Sequence, residues 1–297
     1  MINHFYMRAV RLTAVIFFIS AFACFAQTGK GLLYRITGKG ITQPSYLFGT
    51  VHLYDTVHYK LPADVFAKLP EVKRLLLELD FGKLNAMELM SALWIPDSAQ
   101  YFNRYLTQAQ LKKLSEIQAA SPLLTFFGSK LYHMKPLFVS TLLVANGRSA
   151  QIDKELYDAA VQQKDSIVGI ETVKEQIAAL DAVPIPDQAK MLGDMLGLFT
   201  TADAMIQQMT KTYVKQDIDH MLEELNQSMP LDANFNDVLV VKRNAVMLGR
   251  ILPHLGGKQG VMIAVGAGHL GGRSGLVQSL RKKGYTLTAI PVTFYKK

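Results

Sequence analysis

Cysteine is almost missing from this chain: Cys24 is the one thiol in 297 residues. That excludes a disulfide framework and a cysteine-ligated zinc centre as the basis of the fold. A bilayer-spanning run is also missing, because the continuous apolar or small stretch Leu12–Ala23 falls short of the about 20 residues a span needs. No H-E-x-x-H motif occurs, so the commonest zinc-protease helix is absent. Nor is there a run of five or more basic residues. The excess of 32 Lys+Arg over 24 Asp+Glu, a net charge of +8, is scattered, and no nucleic-acid partner is expected. Internal repeats and low-complexity tracts are lacking too. What remains is a chain with 49% apolar and 19% charged residues, enough apolar side chain for a substantial core and incompatible with disorder.

The amino terminus has the plan of a signal peptide. Arg8 and Arg11 precede Leu12–Ala23 with no acidic residue among them, and small residues follow, so cleavage is expected after Ala26. Residues 1–26 then form the signal and 27–297 a single α/β domain, placed in the periplasm or outside the cell. Cys24 has two readings. It is discarded with the signal, or it is lipidated and anchors the protein to a membrane, although Phe22 is bulky for a lipoprotein box.

Short apolar runs rich in β-branched and aromatic residues predict strands over Gly31–Thr37, Ser45–Thr50, Arg74–Leu79, Ser166–Ile170, Gly260–Val265 and Tyr285–Val292. Two long helical insertions, about 82–163 and 172–256, separate them. Capping-box patterns open helices at Thr107–Gln110 and Thr172–Glu175. The expected fold is α/β, with a mixed central sheet whose strands come from both ends of the chain. The insertions are expected to form a helical layer or cap.

Four residues share one address. His52, Glu78, Glu171 and His269 each stand at or just past the carboxyl end of a predicted strand, the edge at which open α/β sheets bind ligands. Two imidazoles and two carboxylates converging there suit either a divalent metal or general acid–base chemistry. Asp80 shares the face of Glu78 and rivals it. Glu171 precedes the Thr172 cap, where an acid also favours the helix dipole, and Glu175 is assigned to the capping box. His58, His133, His220 and His254 read as background. Asn244 lies on an apolar helix face beside Arg243, and either braces the helix to the site loops or sits at the margin of that face. The stretch Gly266–Gly271 matches G-x-G-x-x-G, but no acid stands near the end of the next strand, which rejects a dinucleotide site.

These residues also carry a family resemblance. The paired G-x-x-H motifs Gly49–His52 and Gly266–His269 resemble the signature of the TraB/GumN family, which includes the Tiki metalloproteases. Glu78-Leu-Asp80, Gly169–Thr172 with Glu175-Gln176, Arg243-Asn244 and Gly266–Leu276 match in order, over about residues 30–293. The resemblance implies an α/β core related to haem-binding lipoproteins of the ChaN type and to erythromycin esterases. It implies a metal-dependent hydrolase acting on exported peptides or proteins. Its divalent ion (Mn, Co or Zn) would be held by His52, His269 and Glu78, with Glu78, Glu171 and Arg243 as the catalytic set. The alternative is a non-catalytic protein that uses the same crevice to bind haem, metal or a small ligand.

Overall fold

The computed structural model describes residues 30–144, 149–198, 201–228 and 236–297. The expected signal segment and Cys24 lie outside these residues. Six strands form one mixed sheet in the order β6–β4–β7–β2–β1–β8. They are β1 (Leu33–Thr37), β2 (Ser45–Thr50), β4 (Arg74–Leu77), β6 (Ser166–Gly169), β7 (Val261–Gly266) and β8 (Thr286–Ile290). Strands β6, β4, β7 and β2 are parallel neighbours. β1 is antiparallel to both β2 and β8, so the sheet is built from the two ends of the chain.

The strand sequences explain this order. All six residues of β2 are buried, as are Val261–Val265 of β7 and Leu75–Leu77 of β4. Unbroken apolar runs are what parallel strands covered on both faces require. Strand β6, at the edge, is less buried, and β8 at the other edge alternates at its start. Gly49 lets β2 approach the turn after β7. A Cβ there would stand 2.9 Å from Leu270 Cδ2 and 3.0 Å from Ala267 Cα, so the first G-x-x-H motif packs directly on the second.

From β2 the chain passes through β3 (Tyr54–Asp55) and the short α1 (Ala63–Phe66) to β4. The first insertion then contains α2 (Ala86–Ala92), α3 (Gln108–Ala120), α4 (Pro122–Phe127), α5 (Pro136–Val144), the two-residue β5 (Ser149–Ala150) and α6 (Ile152–Gln162). The second contains α7 (Val173–Asp181), α8 (Ile185–Leu198), α9 (Ala202–Tyr213), α10 (Ile218–Ser228) and α11 (Lys242–Ile251); α12 (Leu276–Lys282) precedes β8. The capping boxes form as expected, with Thr107 and Gln110 opening α3 and Thr172 and Glu175 opening α7.

The two insertions cover one another as well as the sheet. Phe102, Leu114, Leu131 and Val139 from the first pack with Leu192 and Ile206 from the second in a core of their own. Helix α6 instead lies against β4 and β6. Three tether points fix this cap to the sheet edge. The buried Tyr213 donates its hydroxyl to Gly49 O (2.7 Å), Ile152 N donates to Val51 O (3.2 Å), and β3 pairs with β5.

Candidate functional site

The parallel register brings four strand ends level. Thr50 pairs with Gly266, Leu77 with Ala264, and Leu77 with Gly169. One step further, Glu171 N donates to Glu78 O at 2.8 Å, so these two glutamates leave adjacent strands side by side. His52 follows β2 and His269 closes the single tight turn after β7. Glu78, Glu171 and His269 are all buried, whereas the His52 imidazole is 57% exposed.

Arg243 is the hub of this cluster. Its Nε donates to Glu171 Oε1 (2.9 Å), and its NH2 group donates to Glu171 Oε2 (2.6 Å) and Glu78 Oε2 (2.8 Å). NH1 donates to Leu239 O (3.2 Å). Leu239 lies in a π-helical turn, Asp237–Val241, that runs directly into α11, the kind of helical irregularity frequent at functional sites. Gln176 Nε2, in the second turn of α7, donates to both glutamates at 3.1 Å. Gly266 N donates to Glu78 Oε1 at 2.6 Å. Burial pushes the Glu78 carboxyl up, but the positive charges of His269, His52 and Arg243 and the Gly266 N–H outweigh it and hold the group at about 2.

Each imidazole is held through Nδ1. Asn244 Nδ2 donates to the carbonyls of His269 (3.3 Å) and Ser274 (2.9 Å), so Asn244 Oδ1 accepts from His269 Nδ1 at 2.7 Å. That network assigns the lone pair to His269 Nε2, which faces Glu78 Oε1 at 3.8 Å. Burial drives the His269 pKa below the ordinary histidine value despite the charge of Glu78. On the other side, His52 Nδ1 lies 3.1 Å from Asp153 Oδ2. Desolvation lowers the His52 pKa, but the hydrogen bond and charge of Asp153, joined by the charge of Glu78, raise it to about 9. Asp153 enters the site because Ile152 caps the Val51 carbonyl at the start of α6.

The structure therefore brings His52, Glu78, Glu171, Arg243 and His269 to one edge of the sheet. Asn244 braces α11 to the loop after β7. Asp80 caps the turn Phe81–Lys83 and pairs with Lys83 at 3.0 Å; Glu175, besides its capping role, pairs with Arg250. Asp153 and Gln176 are the two site residues to which sequence reasoning gave no role. A first-turn aspartate is ordinary helix chemistry, and nothing in the pattern distinguishes Asp153. Gln176 stood within a recognised motif.

The donor set suits a divalent metal. Both imidazoles are fixed through Nδ1 by an oxygen acceptor, the usual support for a histidine that ligates through Nε2. His269 Nε2 and Glu78 Oε1 also oppose two lone pairs with only 3.8 Å between them. Among the described residues, no group of three or more His, Cys, Asp or Glu already has metal-holding geometry.

Acid should weaken the metal-free protein through Glu78. Its folded pKa lies below the ordinary 4.5, so the stabilisation is complete above about pH 4.5 and is lost as pH falls toward 2, a change of about 3 kcal/mol. Urea denaturation between pH 5 and pH 2 should show this slope, and Glu78→Gln should flatten it. An unchanged slope in the variant would assign the acid sensitivity elsewhere.

Fold and site together define a mixed α/β protein with an imidazole–carboxylate–guanidinium centre at the carboxyl edge of its parallel strands. The chain belongs to the TraB/PrgY/gumN family, whose model matches residues 32–289. It is 26% identical over 266 residues to proteins described as "Uncharacterized protein YbaP" from Shigella flexneri and from Escherichia coli strain K12. In both cases the match covers 85% of this chain and 95% of the relative. No solved structure matches the chain.

Proposed function

We propose that this protein is an exported, metal-dependent hydrolase of peptides or proteins. The observation that carries the proposal is the pair of imidazoles, each tied through Nδ1, flanking the buried Glu78. His52 Nε2, His269 Nε2 and the Glu78 carboxylate would hold the ion, which is Mn, Co or Zn. When bound, such an ion polarises a scissile carbonyl and makes a water more acidic. Glu171 keeps lone pairs beyond those taken by Arg243 and Gln176, and it takes the proton of the attacking water and returns it to the leaving amine. Arg243 and Gln176 act by position: they fix the angle between the two glutamates, and Arg243 helps to keep Glu78 ionised. Asn244 and Asp153 fix the imidazole rings. Export rests on the Arg-flanked apolar run at the amino terminus. Mass spectrometry of native protein should find Gln27 or a lipidated Cys24 first, and an intact Met1 would contradict it.

The engagement of Glu78 and Glu171 by both Arg243 and Gln176 favours one other reading, a crevice that holds haem, a metal or a small ligand without turnover. Protein purified without chelator and supplied with Mn²⁺, Co²⁺ or Zn²⁺ separates the two when incubated with a peptide library and read by mass spectrometry. The hydrolase reading expects metal-dependent cleavage that chelator abolishes. It also expects Glu171→Gln to lose cleavage while retaining metal. Metal uptake without any cleavage would favour the holding reading.

A further inference from the structure

A second cavity, of about 370 Å³, lies in the cap, within the size range of small-ligand pockets. One wall is the segment Leu93–Pro96, clipped to His133–Lys135 by Ile95 N donating to His133 O and Lys135 N donating to Leu93 O, both at 2.8 Å. The other wall is the turn from α7 into α8. There the fully buried Gln188 donates to Leu180 O (3.1 Å) and Val183 O (2.8 Å). Trp94, Ile95, Val183 and Ile185 supply apolar lining, beside the polar Ser91, Gln100 and Gln188.

Two charged groups interrupt that lining. The Lys135 side chain is only 9% exposed and its ammonium donates to Asp181 Oδ1, while Asp181 is 46% exposed. An ammonium has three donors, and among the described residues Asp181 is the one side-chain partner of this one. The pair is neutral overall and leaves both donors and an acceptor oxygen. A carboxylate ligand would be repelled by Asp181 and an amine by Lys135. An uncharged amide accepts from one and donates to the other.

Asp181 ends the same helix whose Gln176 binds Glu78 and Glu171.

We propose that this cavity is a recognition pocket for an uncharged apolar amide, such as an apolar side chain of a peptide with its flanking backbone amide. The peptide class of ligand rests on the hydrolase reading; the affinity of the pocket for an uncharged apolar amide does not.

Trp94 is the single tryptophan of the chain and lines the pocket, so intrinsic fluorescence reports its occupancy without any turnover. Titrating the full-length protein with N-acetyl-L-leucinamide should give a saturable change in Trp94 emission. Hexanoate should bind at least tenfold more weakly. Ser91→Phe, at an exposed position on the rim, should abolish the change, and Lys135→Met should weaken it tenfold or more, with far-ultraviolet circular dichroism unchanged in Ser91→Phe. No saturable change, an undiminished change in Ser91→Phe, or equal binding of hexanoate would overturn the proposal. Binding of the amide by a protein that cleaves nothing would sustain the pocket while removing the hydrolase. Cleavage whose apolar preference survives Ser91→Phe would do the reverse.

Discussion

Replacing Arg243 with methionine should cost the metal-free protein about 3–5 kcal/mol at pH 7, the range found when one partner of a buried ion pair is removed. The reason is geometric. Glu78 and Glu171 have side chains 10% and 3% exposed, and Arg243 makes a close ion pair with each. Gln176 would remain as a neutral donor to each, which leaves two carboxylates beside each other in a poorly solvated place. Without the guanidinium the Glu78 pKa rises, so the variant should recover relative stability as pH falls and that carboxylate takes up a proton. Arg243→Lys should rescue little, because one ammonium cannot reproduce the side-on contact with Glu171 and the contact with Glu78 together. Urea denaturation at pH 7 and pH 5 measures both effects. A loss below 1 kcal/mol at pH 7 would show that the glutamates do not rely on Arg243.

The largest functional effect is expected from His269→Ala. If His269 Nε2 is a metal ligand, its removal should lower metal affinity and any metal-dependent cleavage by at least about 1,000-fold, an expectation of about 4 kcal/mol or more. The fold should survive, because His269 lies in a turn after β7 and the sheet register does not pass through its side chain. Asn244→Ala provides the graded comparison. It leaves the imidazole in place but unfixed, and supporting residues of this kind typically cost 10–100-fold. Isothermal titration with each metal, beside a cleavage assay, reads both variants. Equal losses in the two would indicate that the turn after β7 has collapsed, and a near-normal His269→Ala protein would remove this residue from the site.

The sheet was legible because its strands are unbroken apolar runs, and Ser45–Thr50 was bounded correctly at both ends. Polar groups that end such runs, His52, Glu78, Glu171 and His269, were conspicuous for the same reason. The capping boxes at Thr107 and Thr172 were readable because a capping interaction is local in sequence. What escaped was long-range. The Arg243 hydrogen bonds join residues 72 and 165 positions apart, and the Asp153–His52 contact spans 101. No periodicity encodes such pairings. The separate core of the cap escaped similarly, since an apolar helical stripe states that it must be covered and not by what.

His52 and His269 should bind one metal together with Glu78. X-ray absorption spectroscopy of the protein loaded with one equivalent of Zn²⁺ or Co²⁺ tests it most directly. The loaded wild-type protein should show imidazole scattering from two histidines, with nitrogen at about 2.0–2.1 Å for zinc, falling to one histidine in His52→Ala and in His269→Ala. A loaded wild-type spectrum without imidazole scattering, or one that neither substitution changes, would contradict it.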